Sequence, residues 1–112
     1  SLHDALPISA IREYLNKYKG SLKGKPIWLT PVVVCKDGFE MSVQESPNHW
    51  SGYGSVEVGF PSAKEVLLMP YAEQPEKPMK TVYGWVPVEV VDKVLKKHGG
   101  ANVPFKTNPL KY

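Results

Sequence analysis

Arginine is almost missing from this chain: thirteen of its fourteen cations are lysine, and the one guanidinium belongs to Arg12. Reading base edges in a duplex leans on the planar, bidentate fork of arginine. The lysines alternate with acids or stand singly, as in KEVLL and PEKPMK, and form no stripe. Sequence-specific nucleic-acid binding is therefore not expected. Cysteine is as scarce, with Cys35 alone, so no intramolecular disulfide can form and an intracellular, cytoplasmic setting is expected. No apolar run approaches the ~20 residues that span a bilayer. Histidine and cysteine nowhere stand at the i, i+3 or i+4 spacing of a zinc site, and no metal or cofactor is expected. The glycines of GYGSVEVG precede a strand pattern instead of a helix, which excludes a phosphate loop.

What is present is an ordinary folded composition, 42% hydrophobic and 22% charged over 112 residues with a net charge of +3. The first eight residues, SLHDALPI, stand apart. They lack an initiator Met, a signal-peptide pattern and any period, and codons that spell them match the end of a short-read sequencing adapter. Residues 1–8 are accordingly expected to be an artefact of an assembled, metagenomic fragment. The rest reads as one α+β domain over 9–100 and an extended arm over 101–112.

Along the chain, AIREYLNKYKG places Ile11, Tyr14, Leu15 and Tyr18 on one helical face and stops at Gly20. IWLTPVVVC is β-rich but broken by Pro31, so two short strands or one bent edge strand are expected there, with Trp28 in the core. Lys36 to Gly38 form a hairpin signal. FEMSVQ and SVEVGF alternate cleanly, a further short strand is expected in EVLLM, and TVYGWV resumes the pattern after a proline-rich surface crossing. PVEVVDKVLKKH is the strongest helix, with Pro87 in its first turn, acids early, and Lys96, Lys97 and His98 late, where they suit the helix dipole. The sum is a mostly antiparallel sheet of about five strands with the C-terminal helix on one face and a short N-terminal helix.

Alternation assigns Phe39, Met41, Val43, Val56, Val58, Phe60, Val82 and Val86 to the covered face. Ser42, Gln44, Glu57, Tyr83 and Trp85 then emerge on the other, beside the loop with Asn48, His49, Trp50 and Tyr53. Such a surface suits a ligand or a second subunit. The alternative is that Tyr83 and Trp85 are covered by the N-terminal helix or the tail and complete the core. Chemistry is poorly supplied. Cys35 sits in an apolar strand where an inert thiol is the usual occupant, and the paired acids Glu73 and Glu76 lie in a solvated segment. No enzyme is expected.

The blocks VVVCKDGFEMSVQ, VEVGFPS and TVYGWVPVEVVDKVLKKHGG, in that order, together resemble a group of small accessory proteins of bacteriophages and prophages. His49 and Trp50 match a histidine and an aromatic that follow the MSVQ strand in that group, while SGYG stands where a Cys-Pro-Arg segment is frequent. The resemblance implies counter-defence in an infected bacterial host, by one of two routes. The first, and the one expected here, is sequestration of a nucleotide-type signalling molecule by a homo-oligomer; the two-faced sheet and its aromatic loop make Gln44, His49, Trp50, Tyr53, Tyr83 and Trp85 the site, with Lys36 or Lys64 as phosphate partners. The second is occlusion of a host defence protein by an aromatic patch. A virion or housekeeping role is a third reading.

Overall fold

Ser9 caps the first helix by accepting the Arg12 N–H on its Oγ, and helix α1 runs Ala10–Tyr18. The computed structural model describes residues 9–19 and 29–102. The expected stop at Gly20, the core position of Trp28, residues 1–8 and the arm beyond Asn102 lie outside the described residues.

Four strands form one open antiparallel sheet in the order β1-β2-β3-β4: β1 Val33–Val34, β2 Glu40–Gln44, β3 Ser55–Gly59 and β4 Val82–Pro87. Helix α2, Val88–Lys97, follows β4 directly, with Pro87 as its N-cap. It stops where Gly99 and Gly100 turn to φ +88° and +94°, and Gly100 N–H closes back on the Leu95 carbonyl at 2.8 Å. The α+β class holds, with four strands in place of about five. EVLLM is not a strand. Glu65 turns its carboxylate back on the Leu67 N–H, Leu68 N–H bonds the Glu65 carbonyl, and a 3-10 turn over Met69–Tyr71 follows, with Pro70 unable to serve a ladder.

A single apolar cluster joins Ile11, Tyr14 and Leu15 of α1, Val91, Val94 and Leu95 of α2, and Met41, Val43, Val56 and Val58 of the sheet. Asp92 Oδ1 accepts the Ile11 N–H at 2.8 Å, which fixes α1 against α2. The start of α1 therefore docks on the other helix and leaves the Trp85 side chain half exposed. At the other edge, Ala101 bridges Cys35 and Asn102 N–H bonds the Val34 carbonyl, so the chain after α2 lies along β1.

The face assignment of β4 is corrected by its register. Val56 pairs with Val86, but Val58 pairs with Tyr83, so Gly84 and Trp85 together oppose the single residue Glu57. This bulge adds one residue to β4 and reverses the parity of what precedes it. Tyr83 and Val86 are both fully buried, whereas Val82 and Trp85 are exposed. Phe60, expected inward, is also corrected: it leaves the strand at φ +51° and is exposed.

Candidate binding site

Trp85 sits in the bulge at φ +52° and presents its indole to solvent. Its backbone N–H donates to the Trp50 carbonyl at 3.0 Å, and the Trp50 N–H donates to Glu57 Oε1 at 3.0 Å. The loop after β2 is thus clasped onto the sheet by the Trp50 backbone, its carbonyl on β4 and its N–H on the Glu57 side chain of β3. Gly84 allows the clasp, because a Cβ there would stand 2.7 Å from Trp50 Cε3. The Trp50 ring lies on the Gly84 backbone, and the Trp85 ring reaches towards Gly52.

The loop is braced from inside. Ser46 Oγ lies 2.6 Å from His49 Nδ1 and accepts the Asn48 N–H, while Ser51 Oγ donates to the Ser46 carbonyl at 3.2 Å. Gly52 and Ser55 exchange backbone hydrogen bonds around a tight turn with Tyr53 at its tip, at φ +52° and fully exposed. Val88 N–H ties Gly54 to the start of α2 at 3.0 Å.

On the outer edge of β4, Ala72 bridges Tyr83 and Glu73 N–H bonds the Val82 carbonyl. That pairing brings Tyr71 and Glu73 to the indoles. Trp50, Tyr71, Glu73, Gly84 and Trp85 line a shallow groove of about 290 Å³. Glu73 is the one charged side chain in this lining.

Of the expected site residues, Trp50 and Trp85 line the groove, His49 braces the loop, and Tyr53 stands exposed at the tip of the adjoining turn. Gln44 is not available to a ligand: buried, it accepts the Thr30 N–H at 2.9 Å and donates to the Thr30 carbonyl at 2.8 Å and to Ser42 Oγ at 3.0 Å. Its amide pairs with both backbone groups of Thr30, so the face of β2 expected to be open is covered at this position. Tyr83 is core, its hydroxyl donating to the Pro78 carbonyl, and burial raises its pKa. Lys36 lies in the β1–β2 turn, at the end of β2 away from the loop, ~15 Å along the strand.

A polar cluster that sequence reasoning missed lies near Lys36. The His98 imidazole is held between Asp37 (Nδ1 to Oδ2, 2.6 Å) and Glu65 (Nε2 to Oε1, 2.7 Å) and stacks on Phe39 with ring centroids 4.2 Å apart. Lys97 Nζ adds a 3.0 Å contact to Glu65 Oε2. Burial works against a charge on His98, but the hydrogen bonds to Glu65 and Asp37 outweigh it and raise its pKa. Burial likewise opposes the Glu65 carboxylate; the Leu67 N–H, His98 and Lys97 prevail and lower its pKa. Asp37 is lowered by the Phe39 N–H and then by His98. With both ring nitrogens hydrogen-bonded, this histidine is a strut between two carboxylates. Cys35 is inert by the same physics, since burial and then the Asp37 charge push its thiol up to about 11.

Among the described residues no group of three or more His, Cys, Asp or Glu is disposed to hold a metal ion, and no helix is long and apolar enough to cross a membrane. Comparison with protein families, with curated proteins and with solved structures finds no match for this chain.

Proposed function

We propose that this protein is a non-enzymatic binding module that docks on a partner protein through Trp50, Tyr53 and Trp85. The observation that carries the proposal is a coincidence of strain and exposure. Among the described residues, the non-glycine residues at positive φ are Tyr53, Phe60 and Trp85, and each is an exposed aromatic. Left-handed backbone costs an L residue about 1–2 kcal/mol, more readily tolerated by Asn or Asp than by a bulky ring. Such strain persists where the surrounding structure enforces it, as the Trp50 clasp does at Trp85. Exposed, rigidly held Trp and Tyr are the side chains that dominate binding energy at protein interfaces. The resemblance to phage accessory proteins supports occlusion of a host defence protein as the setting.

A second reading, sequestration of a nucleotide-type ligand, is favoured by the two indoles beside one groove, on which a base could stack. It ranks lower because Gln44 and Tyr83 are engaged internally, Lys36 is remote, and the groove offers a carboxylate where a phosphate would need a cation.

Two measurements separate these readings. Bacterial proteins captured on the wild-type chain are expected to be lost on the Trp50→Ala/Trp85→Ala double variant, provided its cooperative melting is retained. A melting screen against cyclic dinucleotides, cyclic trinucleotides and ADP-ribose derivatives is expected to be flat. A ligand at a hundred times its Kd would add about 2.7 kcal/mol, a shift of several degrees, and would establish sequestration instead.

A further inference from the structure

Resting on the docking reading, we propose that the groove beside Trp50 and Trp85 receives a cationic side chain, lysine or arginine, from the partner protein. The lining joins three aromatic residues, Trp50, Tyr71 and Trp85, with one acidic residue, Glu73. The π face of an aromatic ring carries negative electrostatic potential, strongest for indole, and attracts a cation brought within ~6 Å of its centroid. Below the clasp a second carboxylate, Glu57, accepts the Trp50 N–H. The salt bridges of the described residues use Glu45, Glu65 and Asp37, and none uses Glu57 or Glu73. In a chain with a net charge of +3, this groove has no lysine or arginine in its lining among the described residues. Its charge complements a cation and repels an anion.

Size agrees with that occupant. A volume of about 290 Å³ falls just below the ~300–1,000 Å³ of small-molecule pockets. It admits one butylammonium or propylguanidinium arm with room to spare, and a cyclic dinucleotide would overhang it. Glu73 is exposed and its backbone, not its side chain, pairs with β4, so the charge can be removed without disturbing the edge that holds it.

The test is a titration of the indole N–H resonances of Trp50 and Trp85 with three capped tripeptides, Ala-Lys-Ala, Ala-Arg-Ala and Ala-norleucine-Ala, at constant ionic strength. Tetramethylammonium chloride serves as the bare cation and AMP as the anionic ring. The lysine or arginine peptide is expected to shift both indole signals and to bind about tenfold tighter than the norleucine peptide. Tetramethylammonium is expected to shift the same signals, and AMP not to. Glu73→Gln, with an unchanged melting temperature, is expected to weaken the cationic peptide about threefold. Equal binding of the norleucine peptide, tighter binding of AMP, no shift with any cation, or indifference to Glu73→Gln would overturn the inference. If it is overturned while protein capture still depends on Trp50 and Trp85, the docking reading stands without the cation; if capture is also indifferent to them, both fall.

Discussion

Gln44 and Trp85 show how a residue's surroundings decide what its chemistry is for. Both were expected on one ligand-facing surface. In the fold, Gln44 spends its amide on the two backbone groups of Thr30, and Trp85 alone faces water. Gln44→Leu keeps the volume and removes two buried hydrogen bonds to Thr30, so it is expected to destabilise the protein by about 2 kcal/mol in urea unfolding. Tyr83→Ala, at a fully buried ring, is expected to cost more, about 3–5 kcal/mol. Trp85→Gly relieves the left-handed strain and adds unfolded-chain entropy, and these nearly offset, so stability within about 1 kcal/mol of wild type is expected while partner capture is lost. Trp50 and Tyr53 were legible because turn residues surround them and Trp85 because it stands in an alternating strand, whereas Tyr71 and Glu73 of the groove were not. The destinations of Gln44 and Tyr83 were not, because one depends on a contact 14 residues away and the other on a register shift that leaves no mark in an alternating pattern.

At the scale of elements, α1, α2 and the β2–β3 pair follow directly from period and caps. EVLLM misleads because Glu65, the residue that turns it, is stabilised by Lys97 and His98 from more than thirty positions away. That contact pins the end of α2 to both the β1–β2 turn and the segment before the 3-10 turn. His98→Leu removes a cation from between two carboxylates, one of them buried, and is expected to cost about 2–4 kcal/mol by chemical denaturation. Gly84→Ala acts on a different junction. Its new methyl would displace the Trp50 ring from β4, and a red shift and loss of Trp50 fluorescence anisotropy without loss of cooperative unfolding are expected.

For the whole molecule, the same strut sets the pH at which the fold is most stable. His98 has its pKa raised by folding, so its contribution is complete below the ordinary value of 6.5 and is lost as pH climbs through the raised one. Glu65, whose pKa is lowered, contributes fully above its ordinary 4.5 and loses that contribution as pH falls through the depressed value. The two windows overlap between these ordinary values, on the acid side of neutrality. Melting temperature is therefore expected to peak there and to decline as pH rises above 6.5, and His98→Gln is expected to flatten the alkaline limb. The β4 bulge has a consequence of another kind. Removing Trp85 outright, instead of replacing it, would restore the simple two-residue rhythm of the strand and turn Tyr83 out of the interior. The exposed ring hangs on the very insertion that keeps the hydrophobic centre in phase, so the position is expected to accept substitution far more readily than deletion.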